Sequence, residues 1–258
     1  MIARWFDAGR SVPFSYQAVV ADATVPTTRY VLSSTSMPSP LTVNAPATVI
    51  GTYGSQFLLH VGTGGLGANT TSVANGGTVL GTASDAAPVE TWLPSGTPLN
   101  LHVDDPVDGA GGTEYFFNGF QPAPPAALNA GFSTTANYLT MAQLISGGLN
   151  SGNITGAGLA SSYSQQWAAV EADLAAGQYA QNGLDDIQSF VSHLQAQSGK
   201  KVTAATAAQL ESDAANVYLH VLCRALAAGQ LTSAMASSRY AYYVALVTSL
   251  GETPKPMC

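Results

Sequence analysis

The chain has 258 residues, 46% hydrophobic and only 9% charged, with 8 Lys+Arg against 15 Asp+Glu and a formal net charge of −7. That length buries a full core in one large or two ordinary domains, and the charged fraction is about a third of the roughly 25% usual in soluble domains. No basic cluster exists beyond Lys200-Lys201, so nucleic acid and a polybasic membrane-surface contact, which both need several cations on one face, are excluded as partners.

Residues 1–20 carry Trp5, Phe6 and Asp7 where a signal peptide would show an uninterrupted apolar run, so no leader is expected. Nothing reaches the roughly 18 consecutive apolar residues of a membrane span. Small neutral residues in place of charge suit a protein that works outside the cell or is packed into an assembly. A secreted protein in mature form fits, and so does a virion protein, which needs no export signal.

In chain order, proline divides the sequence. Twelve of the fourteen prolines lie between Pro13 and Pro125, and residues 126–253 contain none. The first part shows short β-branched or alternating runs, which predict strands near 14–21, 28–34, 41–50, 56–61, 77–83, 89–93, 99–103 and 113–118. Turn signals separate them, among them Asn75-Gly76-Gly77 and Pro94-Ser95-Gly96. Strands at this spacing predict an antiparallel β sandwich or barrel over residues 1–121. Gln121-Pro122-Ala123-Pro124-Pro125 opens an extended linker over 122–132, and two independently folded pieces are expected on either side of it.

Residues 133–258 then predict an α-helical bundle, giving an α+β fold of two segregated domains. Proline-free, alanine-rich sequence permits long helices, here near 158–176, 182–198, 203–228 and 231–250. Gly177, Gly199, Gly229 and Gly251 stand where helices end, and Ser133, Asn182 and Thr203 where they begin. Leu159, Tyr163, Trp167, Val170 and Leu174 share one helical face; Leu184, Ile187, Val191 and Leu194 share the next; Ala207, Leu210, Ala214, Val217 and Val221 the third. The helix through Tyr240–Val247 is apolar on nearly all sides and is expected to be the most buried.

Within the helical part, Gly158-Leu159-Ala160-Ser161-Ser162, Leu174-Ala175-Ala176-Gly177, the run Leu184 to Lys201 (LDDIQSFVSHLQAQSGKK) and Val202-Thr203-Ala204-Ala205 carry a resemblance. Residues of about 153–221 resemble the FIMAH domain, a small helical module of extracellular bacterial proteins. The likeness covers about a quarter of the chain. It departs from the family pattern by running on into another long helix and by lacking an identifiable enzyme domain upstream. It implies an extracytoplasmic or surface-associated setting and no catalytic role.

The acidic loop Asp104-Asp105-Pro106-Val107-Asp108-Gly109-Ala110-Gly111-Gly112-Thr113-Glu114 is the leading site candidate. Calcium takes six to eight oxygens on a flexible loop, and Asp104, Asp105, Asp108 and Glu114 with glycine-freed carbonyls supply them. The alternative is a solvated hairpin loop whose Asp and Gly serve turn geometry. No other cofactor is expected. His60 and His102 sit in similar Leu-His-Val contexts and pose a choice between a shared metal on adjacent strands and hydrogen-bonded strand histidines. Gly62-Thr63-Gly64-Gly65-Leu66-Gly67 lacks the lysine of a phosphate loop and reads as a mobile loop. Trp5, Trp92 and Tyr115-Phe116-Phe117 form either a sugar-stacking platform or core.

Cys223 and Cys258 are the two cysteines. They form either one intramolecular disulfide, worth ~4 kcal/mol in the loop-entropy model, or a free or intermolecular thiol at the tail. With no Gly-x-Ser-x-Gly elbow, no enzyme is expected, a hydrolase ranking third among the readings. The leading expectation is a non-enzymatic structural or attachment protein of an extracellular or virion (phage-like) assembly, in homo-oligomers with protein partners. The alternative is a secreted polymer- or carbohydrate-binding module or enzyme accessory, for which a glycan is the partner.

Overall fold

In the computed structural model, which describes residues 4–258, strands fill the chain up to residue 140 and helices the rest, apart from a 3-10 turn at Ala110–Gly112. The fold is mixed α/β. The strands are β1 (Arg10–Val12), β2 (Val19–Ala21), β3 (Thr28–Thr35), β4 (Leu41–Val43), β5 (Gly51–Gly64), β6 (Thr71–Asn75) and β7 (Thr78–Ala83). There follow β8 (Val89–Pro94), β9 (Thr97–Pro98), β10 (Leu101–Val103), β11 (Val107–Asp108), β12 (Glu114–Gln121), β13 (Ala127–Leu128) and β14 (Phe132–Thr140). The helices are α1 (Met141–Asn150), α2 (Ala157–Ala175), α3 (Leu184–Gln197), α4 (Ala204–Ala227) and α5 (Ser233–Ser249).

β5 is the spine of the larger sheet, because its 14 residues serve three partners. Its first half pairs antiparallel with β3, Gln56–Val61 pair antiparallel with β8, and Leu59–Gly64 pair parallel with β14. The sheet runs β11-β12-β14-β5-β3-β2, and a second sheet runs β10-β6-β7. Leu59, Val61 and Val89 of the first share an apolar cluster with Val73, Ala83 and Leu101 of the second. This follows from period-two alternation, which gives each strand one apolar face to bury.

Strand structure runs on past the prolines. β14 occupies residues expected to be the end of the linker and the start of the helical bundle, and it lies between β12 and β5 in the sheet. Its burial follows a strand period rather than a helical one, with Thr134, Ala136 and Tyr138 alternating as buried residues. Ser133 therefore caps nothing. Helix begins one residue after Thr140, whose hydroxyl accepts from the Gln143 amide while the Gln143 side chain accepts from the Thr140 amide, a reciprocal capping pair.

Beyond that point the helical pattern holds closely. Tyr163, Trp167, Val170 and Leu174 of α2 are buried with Leu184, Ile187, Val191 and Leu194 of α3 and Ala207, Leu210, Ala214, Val217 and Val221 of α4. Thr203 caps α4 by accepting from the Thr206 amide, and the four glycines after α2 to α5 all have positive φ. Asn182 is not a cap; it lies in a π turn, Tyr179–Gly183, and bonds the Gln178 side chain. The most buried helix is α4, not α5: Asp213, Tyr218 and Leu222 are among the many α4 residues out of solvent, whereas Ala241 and Ala245 of α5 are exposed. Alanines make α5 look apolar all round, but a small side chain gains little from burial and does not require it.

One strand reaches into the helical core. Phe116 of β12 is buried in the same cluster as Trp167, with ring centroids 6.0 Å apart at 63°. The turn before β12 is pressed on α2 as well: Gly112 has φ +77°, and a Cβ there would lie 2.1 Å from the Glu171 carbonyl oxygen. No other residue type fits that approach. Replacing Phe116 by alanine should therefore cost about 3–5 kcal/mol in a denaturant melt, whereas alanine at Val79, which is exposed on β7, should change stability by less than about 0.5 kcal/mol.

Candidate functional site

β11 and β12 are joined by the 3-10 turn, and their register sets Asp108 directly opposite Glu114. On α4, His220 and Arg224 are four residues apart and so stand on one helical face. The packing of β12 on the helices brings the two pairs together. His220 Nδ1 lies 3.3 Å from Asp108 Oδ1, Arg224 Nη2 pairs with Asp108 Oδ2, and Arg224 Nη1 lies 3.7 Å from Glu114 Oε1. Ligand atoms of Asp108, Glu114 and His220 all lie within 4.8 Å of one another.

Burial sets the electrostatics of this cluster. Glu114 is 1% exposed and its Oε2 has no hydrogen-bond partner. Desolvation pushes its carboxyl up to about 9, with the Asp108 charge adding to the rise and Arg224 opposing it. It is accordingly neutral at pH 7. Burial also holds the His220 imidazole below its ordinary range, outweighing the attraction of Asp108. The seam thus holds one ion pair, Asp108 with Arg224, between two neutral groups with unused polar atoms.

Asp104 and Asp105, expected in the same set, are turned to other tasks. Asp104 Oδ2 accepts from the Ser72 amide at 2.6 Å, and Asp105 Oδ1 accepts from the Phe117 amide at 3.1 Å. Asp105 and the buried Asp213 of α4 belong to a second acidic group beneath the C-terminal tail. Burial pushes Asp213 up to about 7, against a hydrogen bond from Gln209, with Asp105 and Glu252 adding to the rise. Lys255 Nζ caps the group by donating to the Asp105 carbonyl and to Asn216 Oδ1. The tail is held there by a disulfide between Cys258 and Cys223 of α4.

The remaining candidates separate. The glycine-rich loop is held rather than loose: the Asp85 carboxylate accepts from Thr63 Oγ1 and from the amides of Gly65, Leu66 and Gly67. Partial burial works against that carboxylate, but these bonds hold it below its ordinary value. The loop is an anion nest whose anion is the protein's own side chain. Gly65, at φ +98°, also lies where a Cβ would meet the Tyr138 carbonyl at 2.2 Å. His60 and His102 lie in different sheets; His60 Nδ1 is 3.2 Å from Glu90 Oε1. Trp92 lies under Arg29, with the guanidinium 4.6 Å from the ring centroid, while Phe116 is core and Trp5 is 98% exposed, so no common aromatic platform forms.

Sequence reading missed His220 and Arg224 as site residues. Their i, i+4 spacing was the available signal, but nothing in the sequence pairs a helix face with a hairpin more than 100 residues earlier. Comparison with family models, curated proteins and solved structures returned no match.

Asp213 gives a pH test. Its carboxyl is higher in the folded than in the unfolded chain, so the folded state binds the extra proton between about pH 4 and 7, and stability falls as pH rises through that window. An Asp213→Asn variant lacks this contribution, while those of other raised carboxyls such as Glu114 stay common to both proteins. It should match the parent below pH 4 and gain on it by up to about 1.4 kcal/mol per pH unit across the window, read from urea melts at a series of pH values.

Proposed function

We propose that this chain is a non-enzymatic structural or attachment protein of an extracellular or virion assembly. The observation that carries the reading is the state of the N-terminal segment. Among the described residues before Leu59, none contributes a buried hydrophobic side chain to any of the three apolar clusters. That segment is held by strand pairing, β1 with β4 and β2 with β3, and by hydrogen bonds. Meanwhile Trp5 (98%), Ile50 (59%), Val25 and Val19 are exposed along it.

Apolar side chains that anchor nothing within their own chain are what an interlocking subunit presents to its neighbour. Sparse charge supports the same reading, since contact then desolvates few ions. The disulfide favours an oxidising compartment, in keeping with an extracellular or particle setting. No described helix is long and apolar enough to cross a membrane. On this reading the first half is a β sandwich whose two sheets meet at Leu59, Val73 and Leu101. The stretch α2–α4 is then a FIMAH-like helical body.

The reading predicts self-association. Size-exclusion chromatography with light scattering should show a mass that rises with concentration above that of one chain, and Trp5→Ser with Ile50→Ser should weaken it. A protein that stays monomeric at the highest soluble concentration contradicts the proposal.

A further inference from the structure

We propose that Asp108, Glu114 and His220 form a binding site for one zinc-class divalent cation, lodged in the seam between the β11–β12 hairpin and α4. Three features carry this. The three ligand atoms already lie within 4.8 Å of one another, and a tetrahedral ion with bonds of about 2.0–2.2 Å needs them near 3.5 Å, a closure that ligation itself would have to bring about. Glu114 is 99% buried, and its free Oε2, like His220 Nδ1, has no hydrogen-bond partner. A buried acceptor left unmatched costs stability, and a cation would satisfy it. Both cysteines are in the disulfide, so no thiolate competes for the ion.

The donor set selects the ion. One imidazole nitrogen and two carboxylates suit zinc and its transition-metal neighbours, whereas calcium wants six to eight oxygens. The site therefore differs from the calcium loop expected from sequence: it keeps Asp108 and Glu114, leaves out Asp104 and Asp105, and takes its third ligand from α4. Arg224 is the group that must give way, since its guanidinium now pairs with Asp108. Its Cζ already lies 6.0 Å from the centroid of the Tyr179 ring while it pairs with Asp108, a distance at which an aromatic face attracts a cation, so that face remains to hold it once the ion takes Asp108. Bound metal and Arg224 over Tyr179 would tie hairpin, α4 and the π turn together.

The test is isothermal titration of the full, disulfide-bonded chain with zinc chloride in chelator-treated buffer, with the melting temperature as a second reading. One ion per chain should bind and raise the melting temperature. His220→Ala and Asp108→Ala should each weaken binding at least about tenfold, and Arg224→Met should tighten it. The proposal is overturned if the parent shows no saturable uptake, or if His220→Ala binds as the parent does, which would place the ion on surface histidines. Binding that appears only after Arg224 is removed would also overturn it, making Arg224 the resident cation. So would calcium raising the melting temperature as much as zinc does.

Discussion

The constraint on which this structure depends is that β12 serves two cores at once. Alternate side chains of a strand point to opposite faces. Here Phe116 enters the helical cluster beside Trp167, while Phe117 packs toward Tyr138 at 5.9 Å between ring centroids and toward Phe120 at 4.9 Å. The same alternation places Glu114 on the helical side, where α2 and α4 exclude water from it. A carboxyl is rarely buried in its charged form without a close partner, and with Asp108 beside it and Arg224 no nearer than 3.7 Å this one is held neutral. The strand that joins the halves thus also creates the most perturbed carboxyl of the molecule.

Position in the fold then explains the uneven distribution of packing. The second half of β5, most of β14 and the first half of β12 bury alternate side chains and leave the others half-buried, and α4 is enclosed by its helical neighbours, so its small residues Ala207, Ala214 and Ala225 allow close approach. The N-terminal segment has no second layer. Its strands are satisfied in their backbone groups but leave Trp5 and Ile50 in solvent. Strand pairing without a covered face is a marginal arrangement in water, which is why we assign that segment to contacts with a neighbour. At the other end, the tail is closed down by covalent and polar means, Cys258 on Cys223 and Lys255 over Asp105.

Much of the helical part was legible in the sequence because its signals are local. The 3.6-residue recurrence of Tyr163, Trp167, Val170 and Leu174, the Thr203 cap and the closing glycines each depend on residues within a turn or two. Strands fared less well: β6 is not among the expected strands, and β14 falls where the end of the linker and the start of the helical bundle are expected. β14 is a central strand made of Ser, Thr, Ala and Asn between its aromatics, and its burial comes from β5 and β12 rather than from strong apolar alternation. The site was half legible. Asp108 and Glu114 were visible as acids in a glycine-rich turn, but their counterparts His220 and Arg224 come from a helix that only tertiary packing brings near. Asp104 and Asp105 looked equivalent to them by composition; hydrogen bonds to the amides of Ser72 and Phe117 distinguish them.

A strand shared between cores should make the two halves unfold together, since neither retains its packing without β12. Scanning calorimetry of the full, disulfide-bonded chain measures this most directly, provided the scan is reversible. The account predicts one transition whose calorimetric and van't Hoff enthalpies agree. Two resolved transitions, or a calorimetric enthalpy about twice the van't Hoff value, would contradict it and make the halves separate folding units joined by a loose seam.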